Sequence, residues 1–133
     1  MLYLLDTNTA SFAIKGTVPR VRQHLIRTPM RQLAVSAVTQ AELLFGVERR
    51  PQATRLKQVV EEFLKRVEVL AWDSPAAAAY AALRADLERA GRPIGNMDLM
   101  IAAHALATGA VLVSNDRVFR RVRGLRVEDW SKV

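Results

Sequence analysis

The chain has 133 residues and 14.8 kDa, the size of one domain around one core, and 50% of its residues are hydrophobic. It has no cysteine, which excludes disulfides, thiolate zinc sites and a cysteine nucleophile, and fits a reducing, cytoplasmic setting. No apolar stretch reaches the roughly 20 residues of a membrane helix, and the first apolar run is too short, and lacks the basic leader, for a signal peptide.

Net charge is +7 and the sequence pI is near 10.8. Such an excess points to a polyanionic partner, either nucleic acid or an acidic protein, against the plainer reading of a basic soluble surface.

In chain order, the run from Met1 to Leu5 has no polar face and reads as a strand covered on both sides. It ends in Asp6-Thr7-Asn8. A short helix is expected from about Thr9 to Lys15, closed by Gly16, and a second from Pro19 to Arg27. Gln32–Ser36 reads as a strand. Ala37–Arg49 reads as a helix with Val38, Ala41, Leu44 and Phe45 on its apolar side. Pro51 is expected to open a helix reaching Arg66, with Leu56, Val59, Val60, Phe63 and Leu64 facing the core. Val67–Ala71 is the next strand.

Ser74-Pro75 marks a helix start, with Ser74 as the cap. Its alanine-rich body runs to Ala90 and stops at Gly91. Asn96 is expected to cap a nearly all-apolar, hence buried, helix from Met97 to Thr108. Ala110–Val113 is a strand, Asn115–Val122 a basic helical turn, and Leu125–Val127 a last short strand. Strands alternating with helices predict an α/β fold with a central parallel sheet of four to five strands. No repeat or interdomain linker interrupts it, so residues 1–133 are taken as one domain.

Four carboxylates stand where strands end or the following helices begin: Asp6, Glu42, Asp98 and Asp116. Each has a local explanation. Asp6 suits an Asx-turn, Glu42 a capping box with Thr39, and Asp98 and Asp116 the positive ends of helix dipoles. Together they read differently, because a parallel sheet brings all four to one edge, the edge where such sheets bind ligands. Two unit charges ~4 Å apart repel by about 4 kcal/mol at an effective dielectric of 20, and a divalent cation removes that cost.

All-oxygen ligation favours Mg²⁺, or Mn²⁺, over Zn²⁺. Thr7, Asn8, Ser114 and Asn115 offer polar groups behind the metal or for a water on it. Carboxylate-held metal in a basic protein points to phosphodiester chemistry, with Glu42 or Asp116 positioning the water or taking its proton. Arg117, Arg120 and Arg121 share helical spacing near the site and are well placed for phosphates, extended by Arg123 and Arg126. Arg20, Arg22, Arg27 and Arg31 form a second cluster. Contacts of this kind give salt-dependent affinity without sequence information. His24 and His104 are assigned no catalytic role.

The segments Leu2–Asn8 (LYLLDTN), Val38–Arg50 (VTQAELLFGVERR) and Arg92–Trp130 (RPIGNMDLMIAAHALATGAVLVSNDRVFRRVRGLRVEDW) resemble, in order and along nearly the whole chain, a PIN domain of the VapC type. Most of the specificity lies in Ala41-Glu42-Leu43-Leu44 and in the stretch from Gly95 to His104. The resemblance implies a three-layer α/β/α sandwich. It implies a Mg²⁺-dependent endoribonuclease that is the toxin of a toxin–antitoxin pair. The family's first three acids match Asp6, Glu42 and Asp98, so its usual metal ligands fall on Asp6 and Asp98. The fourth position is variable in relatives, which often carry an Asn-Asn pair. Here it is Ser114-Asn115-Asp116, followed by a slightly shortened segment.

The resemblance further implies a homodimer with a continuous basic groove, and an antitoxin that lays a tail across it, drawn there by the +7 charge as RNA is. Two other readings compete with this one. A degenerate PIN module that binds RNA or protein without cutting gains nothing from carboxylates in a phosphate groove. A DNA or flap nuclease would need insertions that this short chain lacks.

Overall fold

The computed structural model describes residues Met1 to Lys132. Five strands form one parallel sheet: β1 (Tyr3–Leu5), β2 (Leu33–Ser36), β3 (Glu68–Leu70), β4 (Val111–Val113) and β5 (Val127–Glu128), in the order β3-β2-β1-β4-β5. The chain winds outward from β1 to β3 on one side and then returns to β4 and β5 on the other. The direction of winding therefore reverses between β1 and β4, whose residues pair Tyr3 with Val111 and Leu5 with Val113. The expected α/β/α sandwich is the observed one.

Two helical layers cover the sheet, and the strand period of two sorts the side chains between them. Leu4, Ala34 and Leu112 face one layer and pack with Leu83, Leu87, Ile101 and Ala105. These come from α5 (Ser74–Arg89) and α6 (Asn96–Thr108). Leu5, Val35 and Val113 face the other and meet Val21, Phe12, Leu25 and Phe63. Those belong to α1 (Thr7–Lys15), α2 (Pro19–Arg27) and α4 (Thr54–Arg66). Leu4 and Leu5 are both fully buried, each worth about 1.5–3 kcal/mol of apolar transfer. A polar residue at either place would unseat the strand that aims Asp6. The nearly all-apolar α6 is largely buried as expected and lies against α5.

The structure corrects several local expectations. The first helix starts at Thr7, not Thr9, because the Asp6 side chain caps it. Gly16 closes it with φ +65°, as its lack of a Cβ allows. α3 (Ala37–Glu48) buries Val38, Thr39 and Leu43, whereas Ala41, Leu44 and Phe45 face outward, Phe45 at 61% exposure. The buried stripe follows the contacts of α3 with α1, α4 and α6 rather than its most hydrophobic side. Pro51 lies in a turn, and α4 begins three residues later. Asp73 caps α5 in place of Ser74, and Gly95, with no capping side chain, precedes α6 in place of Asn96. The basic turn is a 3₁₀ helix, Arg117–Arg121, and the last strand sits later than expected.

Candidate active site

The carboxyl ends of β1 and β4 meet where the winding reverses, and the backbone N–H of Asp6 donates to the Val113 carbonyl across that junction at 3.0 Å. This is where an open parallel sheet leaves a crevice for ligands. Asp6 is buried, at 4% exposure. Its Oδ1 accepts the Thr9 backbone N–H at 2.8 Å, so it caps α1 and faces the crevice together. Burial pushes its pKa above the usual carboxylate range. Hydrogen bonds from Ser114 and Thr9 oppose that rise, and the charge of Asp116 adds to it.

Asp98, in the first turn of α6, is half-buried and has no hydrogen-bond partner among the described residues. Its pKa is also raised, first by burial and then by the charges of Asp116, Asp6 and Glu42. One carboxylate thus feels the other three, although residues 6, 42, 98 and 116 are scattered along the sequence.

Glu42 does not complete a capping box. Ser36 caps α3, accepting from the Val38 N–H at 3.1 Å. Glu42 Oε1 instead accepts the Thr7 hydroxyl at 2.6 Å. The Thr7 proton is then committed, so at the 3.2 Å contact between Thr7 and Thr39 the donor is Thr39. This relay from Thr39 through Thr7 to Glu42 holds α1 and α3 together at the crevice. Thr39 was visible in the sequence as a threonine three residues before a glutamate, but its role depends on a partner 32 residues away.

Asp116 is exposed and caps the 3₁₀ turn through the Val118 N–H at 2.9 Å. Its own N–H donates to the buried Ser114 Oγ at 3.0 Å. Asn8 and Asn115 are exposed at the same edge. Arg117 and Arg120 lie in one row of the 3₁₀ turn, as its period of three dictates. Arg121 leaves that row and donates to the Pro93 carbonyl at 2.9 Å. Arg123 and Arg126 are exposed, as are Arg20, Arg22, Arg27 and Arg31.

Among the described residues, the ion pairs are Lys65–Glu62, Arg84–Glu88, Arg89–Asp86 and Lys132–Asp129. None of them neutralises an acid of the crevice. Nor do three of these acids close into a ready coordination cage among the described residues. The donors gathered here are carboxylate oxygens, a donor set that a hard divalent cation would accept.

Buried His104 braces the crevice from behind. Its Nδ1 lies 2.8 Å from Ser36 Oγ, and the ring also bonds the Ala71 backbone, which leaves Nε2 for that contact. A carbonyl only accepts, so Nε2 carries the proton and Nδ1 accepts from Ser36. One neutral ring thereby ties α6 to the end of β2 and the segment after β3. Burial lowers its pKa; Asp73 and the Ala71 hydrogen bond pull the other way. A folded pKa below the unfolded value of about 6.5 means that the unfolded chain binds the extra proton first. Stability therefore falls as pH drops below about 6.5. Urea midpoints at pH 7.5, 6.5 and 5.5 are expected to decline in the native chain and to flatten in His104→Gln. An unchanged slope in the variant assigns the effect to other groups.

A model of the PIN domain matches residues 3–125. The chain is 42% identical over 130 residues to a protein of Shigella flexneri named tRNA(fMet)-specific endonuclease VapC, covering 97% of this chain and 98% of that one. Among solved structures, it resembles one of DNA-bound VapBC from Salmonella typhimurium, with a TM-score of 0.91 at 41% identity over 98% of this chain and 99% of that chain. It also resembles VapBC2 from Rickettsia felis bound to a promoter DNA fragment, with a TM-score of 0.88 at 33% identity over 96% of this chain and 98% of that chain. No helix among the described residues is long and apolar enough to cross a membrane.

Proposed function

The chain belongs to the PIN-domain family, in its VapC branch, and from that premise we propose that it is a Mg²⁺-dependent endoribonuclease, the toxin of a toxin–antitoxin pair. The observation that carries the reading is a crevice at the reversal of the sheet, lined by mutually repelling carboxylates with no basic side chain paired to any of them among the described residues.

Asp6 and Asp98 would hold the ion through their carboxylates, the two acids of the group whose pKa is raised by burial. The ion, when bound, supplies Lewis-acid charge for phosphate oxygens and makes water easier to deprotonate. Glu42, its carboxylate fixed by Thr7, orients the attacking water and receives its proton. Asp116, exposed and in electrostatic reach of Asp6 and Asp98, would restrain the water as a second acid. Arg117 and Arg120 hold the flanking phosphates.

The partner is an antitoxin, as in the VapBC assemblies that the fold resembles. Its acidic tail is drawn by the net charge of +7. Leu44 and Phe45, exposed on α3, give a partner's apolar side chains a surface to cover. The active assembly is a homodimer.

A tRNA is the apt first substrate, given the specificity named for the Shigella relative. Purified chain with initiator tRNA and Mg²⁺ is expected to give discrete cleavage products on a denaturing gel. EDTA abolishes them and added Mg²⁺ restores them. Cleavage that persists in EDTA refutes the metal-dependent reading.

A further inference from the structure

Beside the acidic crevice lies a cavity of about 330 Å³, bounded by the end of β4, the 3₁₀ turn, β5 and the chain beyond it. It is at the small end of the range for ligand pockets. Asp116 belongs both to this cavity and to the acid cluster, so the two spaces adjoin.

Beside the carboxylates of Asp116 and Asp129, the latter engaged by the Ser131 backbone N–H, two chemistries line it. Arg117, Arg120 and Lys132 bring positive charge to its walls. Among the described residues neither arginine has a carboxylate or hydrogen-bond partner, in contrast with Arg121, and Lys132 reaches Asp129 only at 3.9 Å. Val122, Leu125 and Val127 supply apolar surface. A phosphate alone needs no apolar floor, and an apolar ligand needs no arginines. The combination suits a flat heterocycle with a phosphate attached.

Building on the nuclease reading, we propose that this cavity is a nucleotide subsite: it takes one unstacked nucleotide of single-stranded RNA next to the phosphate that is cut. The base lies on Val122, Leu125 and Val127, and its phosphate is held by Arg117 and Arg120. The sharing of Asp116 places the neighbouring phosphodiester over the acids. The volume holds one residue of a strand and not a duplex end, so RNA enters from loops or splayed ends, where bases leave the stack.

The test is a titration of the whole isotope-labelled chain with each of the four nucleoside 5′-monophosphates in EDTA, followed by amide NMR, with inorganic phosphate titrated alongside. The subsite requires saturable shifts at Val122, Leu125 and Val127 with nucleotides, and shifts confined to the arginine turn with phosphate. Identical patterns from phosphate and nucleotides overturn it, leaving a phosphate grip only.

In cleavage assays Arg120→Ala raises KM for a short single-stranded RNA by about tenfold, the low end of one charged hydrogen bond, and Leu125→Trp, which fills the cavity, raises KM with kcat kept within about twofold. If Leu125→Trp fails to fold, Arg120→Ala and the titration decide. Cleavage by the native chain without shifts at the apolar residues removes the subsite and leaves the nuclease. Shifts there without any cleavage keep the nucleotide site and remove the nuclease.

Discussion

Asp98→Asn lowers Mg²⁺-supported RNA cleavage by on the order of 10³-fold, the upper range for removing one electrostatic contributor from an active site, while the folded chain becomes more heat-stable in metal-free buffer. The two effects have one origin. Asp98 has no hydrogen-bond partner among the described residues, and it sits half-buried with three other carboxylates in electrostatic reach. Its pKa is raised, so at neutral pH the ionised form costs the folded state more than the unfolded one, and that cost is present above the folded pKa and disappears on acidification. Asparagine keeps the shape and removes the charge. Cleavage is read on labelled RNA, and stability is read by circular dichroism melting. A variant that cuts at the native rate removes Asp98 from the chemistry. A variant that melts earlier shows that the carboxylate was instead stabilising α6.

Much of this site was legible before any fold was known. The apolar run into Asp6, the apolar α6 behind Asp98, and the strand ending just before Ser114 each announce an element and its end. An all-parallel sheet then leaves no other place for these acids than one edge. The geometry within that edge was not legible. Thr7 reaches Glu42 across 35 residues, and no local pattern separates that contact from a capping box. α3 hides its buried stripe because both its sides are apolar, so Leu44 and Phe45 read as core although they face out. Arg121 shares its spacing with Arg117 and Arg120, but a 3₁₀ turn has period three where an α-helix has 3.6, and the difference of one residue sends it to Pro93. The cavity is built from residues between Ser114 and Lys132 that gain meaning only when β5 pairs with β4.

Mg²⁺ is expected to raise the melting temperature of the native chain, reversibly with EDTA, and to do so far less in Asp98→Asn. The ion binds the folded crevice and not the unfolded chain, so at a hundredfold excess over Kd it adds about 2.7 kcal/mol, or several degrees for a chain of this length. The gain is larger than any surface ion pair would give, because the ion relieves repulsion that the protein itself leaves standing: the crevice acids lack basic partners among the described residues, and Asp6 and Asp98 are both held above the usual carboxylate range. NaCl at matched ionic strength separates binding from screening. Screening acts on exposed charges over a Debye length of about 10 Å at 0.1 M, and does little for Asp6 at 4% exposure. Should NaCl reproduce the whole Mg²⁺ effect, or Asp98→Asn show the full shift, the acids are neighbours without being a binding site. The native-only, Mg²⁺-specific gain instead makes the repulsion among the crevice's own acids the source of its affinity for the ion.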